Sequence, residues 1–150
     1  MKTKVDLSKY EKMYDTFDIG HDREHMEGVR EFAILLAEKY CPEKMEVVYI
    51  SATLHDIGLS VSRTEHERHG YEIAKKDQTL KSAYSKEDFE LILEGIREHR
   101  ASSGNPQSIV AKIVSDADKA YSDTYGLLNR SYKYEKERDP SLSIDEILEI

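Results

Sequence analysis

Several histidines and aspartates occupy positions where the surrounding helical pattern places apolar residues. They lie on the apolar face of a predicted helix or at the end of an apolar segment: His25, His55, Asp56, His99 and Asp118. A buried imidazole or carboxylate must be hydrogen-bonded, neutralised or bound to a metal, because an unsatisfied one costs several kcal/mol. One such residue is ordinary in a protein core, but helix bundles build metal sites from several of them on facing helices. Imidazole and carboxylate without thiolate suit Mn, Fe, Co, Ni or Zn better than Ca.

The elements that must position these side chains are predicted to be helices. Apolar residues recur with helical periodicity, and no segment shows a convincing strand pattern. Segment 42–56 is apolar along nearly its whole length, which predicts a central, buried helix that Gly58 ends as a C-terminal cap. The predicted helices span 8–16, 22–40, 42–56, 65–78, 85 to the loop at 101–106, 106–121, 123–138 and 143–149, with Asp22 and Ser85 as N-caps. We interpret residues 1–150 as an all-α, single-domain helical bundle of about six to eight helices.

Composition excludes several classes of function. Lys and Arg number 22 and Asp and Glu 30, which gives a net charge of −8 and argues against binding to a nucleic acid duplex. No run of about 18 apolar residues is present to cross a membrane, and the charged N-terminus lacks the apolar core of a signal peptide. The single cysteine, Cys41, allows neither an internal disulfide nor a cysteine-based zinc site. We therefore expect a cytoplasmic protein without a membrane partner, as a monomer or a homodimer.

Five short motifs follow one another along the chain. They read HDREH at 21–25, LHDIG at 54–58, HERHGYEIA at 66–74, IREH at 96–99 and SDADK at 115–119. In this order they resemble the HD-domain superfamily of metal-dependent phosphohydrolases, whose signature is His…His-Asp…Asp on an all-helical core. The resemblance covers residues 21–125, the motif-bearing core of the chain.

The resemblance implies a metal site with a defined set of ligands. One divalent ion would be bound by His25, His55, Asp56 and Asp118. A second ion or a substrate phosphate would be bound by His99 together with His66, or with His69 three residues later on the same helical face. His21 and Asp116 are not expected to be ligands. The implied cofactor is one or two ions of Mn, Fe, Co, Ni, Zn or Mg.

The reaction implied by the resemblance is hydrolysis at phosphorus by metal-activated water. The catalytic candidates are Asp56, which could bridge to a second metal, and Lys119, which would stabilise the charge that develops on the phosphoryl group. Phosphate binding needs cationic partners besides the metal. The candidates for that role are Arg23, Arg100 and Lys119.

We expect the substrate to be a small phosphorylated metabolite, in particular the phosphomonoester or phosphoanhydride of a nucleotide. A cyclic-dinucleotide phosphodiesterase is an alternative. That branch of the family carries a second adjacent histidine and a Gly-Tyr-Pro loop, where this chain has Arg100 and a Ser-Gly-Asn-Pro loop at 103–106. A further alternative is a non-catalytic domain that binds metal or a nucleotide as a sensor. The loops at 59–64 and 101–106 and the weakly patterned region 122–140 are expected to set specificity.

Overall fold

Helices alone form the regular secondary structure of residues 1–138. A computed structural model describes these residues, with the side chains of residues 1–18 and 20–123. Seven α-helices run through this range, some joined by short 3-10 turns, and the range contains no strand. They are α1 (Ser8–Met13), α2 (Arg23–Tyr40), α3 (Met45–Leu54), α4 (His66–Lys75), α5 (Gln78–Ala83), α6 (Lys86–Arg97) and α7 (Ile109–Arg138). The predicted all-α class is confirmed, and the helix predicted at 143–149 lies outside the described residues.

Four of the described helices are capped at their start by a side chain that accepts a backbone hydrogen bond, and Ser108 caps α7 in this way at 3.0 Å. Asp22 caps α2 and Ser85 caps α6, as predicted, and each accepts at 3.1 Å the N–H of the residue three positions later. Asp77 was not predicted as a cap, but it accepts the N–H of Leu80 at 3.0 Å and begins α5. The single helix predicted over 65–78 is therefore wrong. Asp77 adopts extended backbone, which ends α4 and starts a new helix.

Gly58 does not cap α3, contrary to the prediction. The helix ends at Leu54, and Gly58 lies in the 3-10 turn Ile57–Ser60 with a negative φ. A Cβ at this position would lie 1.8 Å from the carbonyl oxygen of His66 and 2.5 Å from the backbone nitrogen of Gly70. Glycine is required here because the turn packs directly against the backbone of α4.

The last described helix is continuous where two were predicted. Helix α7 begins at Ile109 and passes through the boundary expected between helices at 106–121 and 123–138. Ser122 and Asp123 at that boundary are exposed. Both residue types are weak helix formers, but neither breaks a helix as proline does, so the helix continues.

Helix α3 lies at the centre of the bundle, as its apolar sequence predicted. It packs against α2, α6 and α7, and its side chains from Val47 to Leu54 are buried except for the half-buried Tyr49. Helix α4 packs on α6 and on the 3-10 turn that follows α3. These contacts enclose the C-terminal end of α3, where the polar cluster forms. Among residues 1–138, no helix combines the length and the apolarity that crossing a bilayer requires.

Candidate metal centre

Six side chains converge beside the C-terminal end of α3. They come from the first turn of α2, the end of α3, the first residue of α4, the end of α6 and the first third of α7: His25, His55, Asp56, His66, His99 and Asp118. The structure thus brings together the four ligands implied by the resemblance and two of the three further histidines. His69 belongs to neither group of potential ligands that the described residues form.

The first group of potential ligands consists of His25, His55 and Asp118. Carboxylate oxygen Oδ1 of Asp118 lies 3.2 Å from Nε2 of His25 and 3.6 Å from Nε2 of His55. All three ligand atoms lie within 4.8 Å of one another, which is compatible with binding to a single ion. We call this group the first triad.

The second group of potential ligands consists of Asp56, His66 and His99, which we call the second triad. Carboxylate oxygen Oδ1 of Asp56 lies 3.1 Å from Nε2 of His66 and 3.2 Å from Nε2 of His99. The two Nε2 atoms are 3.3 Å apart. This group, too, could hold one ion.

Asp56 connects the two triads through its two carboxylate oxygens. While Oδ1 faces His66 and His99, Oδ2 lies 3.2 Å from Nε2 of His55 and 3.7 Å from Nε2 of His25. Asp56 is almost completely buried, so its charge must be balanced inside the cluster. The carboxylate therefore lies between the triads and is available to both.

The orientation of the imidazoles fits metal binding. Nδ1 of His55 lies 2.6 Å from the carbonyl of Ala52, and Nδ1 of His99 lies 2.8 Å from the carbonyl of Ile96. A carbonyl only accepts hydrogen bonds, so each Nδ1 carries a proton and each Nε2 lone pair is directed into the cluster. Nε2 of His55 is buried, and no group in the described structure is aligned to hydrogen-bond with it. Metal-binding histidines are held by such Nδ1–H bonds, and a divalent ion would satisfy the orphaned Nε2.

Charge within the cluster shifts the pKa values of its members in opposite directions. Burial raises the pKa of Asp56, but the neighbouring histidines outweigh it and hold that pKa well below its usual range. Burial lowers the pKa of His55, but the carboxylates of Asp56 and Asp118 outweigh it and raise that pKa. The Asp56 carboxylate is therefore ionised, which is the form in which a carboxylate binds a divalent cation.

The cluster opens into a cleft of about 360 Å³. Its walls are formed by Gly20, His21, His25, Asp56, His66, His99, Arg100, Ala101, Ser102, Asp118 and Ser122. His21 lines this cleft without joining either triad, and its Nδ1 lies 2.9 Å from a carboxylate oxygen of Asp18. Ala101 and Ser102 come from the loop at 101–106, one of the regions that were predicted to set specificity.

The three cations predicted to bind phosphate differ in whether they line the cleft. Arg100 lines the cleft, with its guanidinium 3.3 Å from a carboxylate oxygen of Glu67. Arg23 instead donates two hydrogen bonds of 2.8 and 2.9 Å to Asp15, away from the cleft walls. Lys119 is exposed and also lies outside the walls. Consecutive residues of a helix are about 100° apart. Because Asp118 faces the cluster, the next residue, Lys119, points away from it.

Tyr14 contacts the centre from the segment before α2 and was not among the residues predicted from the sequence. Its buried hydroxyl accepts the backbone N–H of Asp56 at 3.1 Å. A tyrosine in a short amphipathic segment is typical of a core residue, and no sequence motif marks Tyr14 as part of a functional site. Ser122 lines the cleft and was not singled out, although it begins the region 122–140 that was expected to contribute to specificity.

Comparison with known proteins identifies the family. The sequence matches the HD domain family over residues 22–122. The fold is similar to a crystal structure described as a "predicted HD superfamily hydrolase" from an uncultured Thermotogales bacterium, with a TM-score of 0.63 and 28% sequence identity. The similarity covers 75% of this chain and 64% of that chain. No curated protein matches the sequence. The family match includes every residue of both triads, and we conclude that the chain belongs to the HD-domain family.

Proposed function

We propose that the chain is a divalent-metal-dependent phosphohydrolase. Its substrate would be a phosphomonoester or phosphoanhydride of a nucleotide or a similar small metabolite. The observation that carries the proposal is the pair of triads around one carboxylate, Asp56, on the wall of a cleft of about 360 Å³. Clefts of this size suit small molecules. Membership of the HD-domain family and similarity to a hydrolase support the same type of reaction.

The residues of the chain have separable tasks in this proposal. A bound divalent ion supplies Lewis acidity and lowers the pKa of water. The Nδ1–H bonds of His55 and His99 keep their imidazoles aimed into the cluster. Arg100 offers its remaining N–H donors to phosphate oxygens, because Glu67 occupies only part of the guanidinium. Lys119 is not assigned a role at the phosphoryl group, since it lies outside the cleft walls.

A phosphodiesterase of the cyclic-dinucleotide type is a second candidate. The second triad favours it, because two ions can stabilise both the attacking and the leaving oxygen of a phosphodiester. Arg100 and the Ser-Gly-Asn-Pro loop at 103–106 differ from that branch of the family. Both candidates would use the cluster around Asp56, and they differ in the ester that is cleaved.

The test combines metal analysis with a substrate panel. Protein purified without chelator is assayed for metal per chain, and chelator-treated protein is assayed with Mn²⁺, Mg²⁺, Co²⁺ or Ni²⁺ added back. The panel contains nucleoside mono- and triphosphates, p-nitrophenyl phosphate, bis(p-nitrophenyl) phosphate and a cyclic dinucleotide. Metal-restored release of inorganic phosphate would support the first candidate, and cleavage of the diesters the second. Metal and nucleotide binding without turnover would point to a sensor, and no metal binding would refute the proposal.

A further inference from the structure

Tyr14, in the segment before α2, is hydrogen-bonded to the backbone beside two of the potential metal ligands. It belongs to the 3-10 turn Tyr14–Thr16 that follows α1, and its side chain is fully buried. Its hydroxyl donates a hydrogen bond of 2.6 Å to the carbonyl of Thr53 and accepts one of 3.1 Å from the N–H of Asp56. The hydroxyl thus joins two backbone groups on either side of His55.

The need for this hydroxyl arises from the way α3 ends. In a continuing α-helix the N–H of Asp56 would donate to the carbonyl of Ala52, four residues earlier. Here that carbonyl is already bonded by Nδ1 of His55 at 2.6 Å and approached by the N–H of His55 at 3.4 Å. The N–H of Asp56 is buried and needs another acceptor, because an unpaired buried amide costs free energy. The Tyr14 hydroxyl is that acceptor.

The N-terminal segment is tied to the same place by further contacts. Arg30 donates hydrogen bonds of 3.0 Å to Glu11 on α1 and 3.1 Å to the hydroxyl of Thr53. The ring of Tyr14 contacts that of Phe17 edge to face at 5.3 Å. These contacts hold the hydroxyl of Tyr14 in place relative to α3.

We infer that Tyr14 is a positioning residue of the metal centre, acting through the backbone of the His55-Asp56 turn. The carboxylate of Asp56 and the imidazole of His55 serve different triads, so one hydroxyl fixes a ligand of each. Tyr14 lies before residues 22–122, the range that matches the HD domain family, so the segment around it completes the site from outside that range. The inference rests on the metal-binding part of the proposed function and is independent of the substrate.

The experiment compares Tyr14→Phe with Tyr10→Phe in the full chain. Tyr10 is a matched control, because it is also buried and donates its hydroxyl to a carboxylate, that of Asp77, remote from the triads. Co²⁺ binding to the chelator-treated proteins is measured by titration and by the visible spectrum of the bound ion, which reports coordination geometry. Loss of a partner that orients a ligand typically costs about 10–100-fold in metal affinity. We therefore expect Tyr14→Phe to raise the Co²⁺ dissociation constant at least about tenfold and to change the spectrum, and Tyr10→Phe to do neither.

The possible outcomes separate this inference from the proposed function. Equal Co²⁺ affinity and spectra for Tyr14→Phe and the unaltered protein would overturn the inference and leave the proposed function standing. Failure of the unaltered protein to bind Co²⁺ would overturn both. If Tyr14→Phe does not fold, hydrogen exchange of the Asp56 amide in the unaltered protein decides. Protection comparable to that of the α3 amides supports the hydroxyl bond, and exchange at the rate of an exposed loop amide refutes it.

Discussion

At the scale of single residues, Asp56 should differ from every other member of the cluster. Its two carboxylate oxygens face different triads, so the Asp56→Ala variant removes a ligand or a close neighbour from both. We expect this variant to lose metal from both triads and to lose hydrolytic activity by at least about 100-fold, more than the loss of an orienting partner would cause. The Asp118→Ala variant should lose metal from the first triad alone. Elemental analysis of each purified variant measures the bound metal, and the activity assay measures the rate of hydrolysis.

Asp116 provides the control for these aspartate variants. It lies on the same helix as Asp118, two residues earlier, and is exposed. The Asp116→Ala variant should therefore keep the metal content and the activity of the unaltered protein. Equal metal content in the Asp56→Ala and Asp116→Ala variants would contradict the shared position of Asp56.

A second prediction at this scale separates His66 from His69. His66 is the first residue of α4 and lies 3.1 Å from the Asp56 carboxylate, whereas His69 belongs to neither triad. The His66→Ala variant should bind one metal equivalent fewer than the unaltered protein, and His69→Ala should bind the full complement. The matched pair is measured by Co²⁺ titration. Loss of metal from the His69→Ala variant alone would reverse the assignment.

The sequence predicts the members of the cluster better than their surroundings. A polar residue on an apolar stripe is visible without a structure, which is why His25, His99 and Asp118 could be selected. The choice between His66 and His69 could not be made, because residues three apart share a helical face and only the start of α4 distinguishes them. The cations are harder still. Their positions depend on which carboxylates they meet in the folded chain.

At the scale of elements, the contact between the turn after α3 and α4 determines where His66 lies. Gly58 approaches the backbone of α4, and an added Cβ would lie 1.8 Å from the carbonyl oxygen of His66. Relief requires the two backbones to separate, since no flexible side chain can move away. The Gly58→Ala variant should therefore lower the free energy of unfolding by about 1–3 kcal/mol or more and weaken metal binding by the second triad. Urea unfolding and Co²⁺ titration measure the two effects.

Gly20 is the matched glycine for that comparison. An added Cβ at Gly20 meets nothing within 4 Å. The Gly20→Ala variant should therefore unfold at the same urea concentration as the unaltered protein. If Gly58→Ala is equally stable, the close packing of the turn on α4 is not required for the fold.

A prediction on pH concerns the connection between α1 and α5. Asp77 caps α5 and accepts hydrogen bonds from the N–H of Leu80 and the hydroxyl of Tyr10. Burial raises the pKa of Asp77, but these bonds and Lys9 outweigh it and lower that pKa below 3.8. A pKa that is lower in the folded than in the unfolded state gives stability that is present above the unfolded value and is lost as pH falls through the folded value. The Asp77→Ala variant should thus lower the free energy of unfolding by about 2 kcal/mol at pH 7. The difference in stability between this variant and the unaltered protein should shrink below about pH 4.

Ser85 gives the control for this pH dependence, because it caps α6 with a hydroxyl that does not titrate. The Ser85→Ala variant should lower the free energy of unfolding by about 1 kcal/mol at both neutral and acid pH. Urea unfolding of both variants and the unaltered protein at several pH values measures this. A pH-independent cost for Asp77→Ala would show that the ionised carboxylate is not what stabilises the junction.

The elements illustrate where sequence patterns are sufficient and where they are not. The central position of α3 could be predicted because apolar residues occur on every side of this helix. The start of α2 could be predicted because Asp22 is a typical N-cap residue. Helix α5 was missed because its six residues are too few for a periodic pattern. The role of Gly58 depends on a contact with α4, which is distant in sequence, so its local pattern suggested a helix cap instead.

At the scale of the whole molecule, the centre connects helices that pack mainly through an apolar core. The core includes buried residues of α2, α3, α6 and α7 and does not depend on the cluster for its contacts. A chain of 150 residues also buries enough surface to fold without a metal. The six polar side chains, in contrast, come from separate parts of the fold and are brought together only when it has formed. Metal should therefore bind the folded chain far more tightly than the unfolded chain.

This difference predicts how stability depends on metal. A ligand that binds only the folded state adds about 2.7 kcal/mol at a concentration 100 times its dissociation constant. For a domain of this size that corresponds to roughly 5–10 °C in Tm. Chelator-treated protein should keep its helical circular dichroism but melt at a lower temperature, and Tm should rise with added Co²⁺. The Asp56→Ala variant should show no such rise, since it lacks the carboxylate between the triads. A Tm that is the same with chelator and with Co²⁺ would mean that the cluster does not bind the ion, and loss of helicity on chelation would mean that the apolar core alone does not hold the fold.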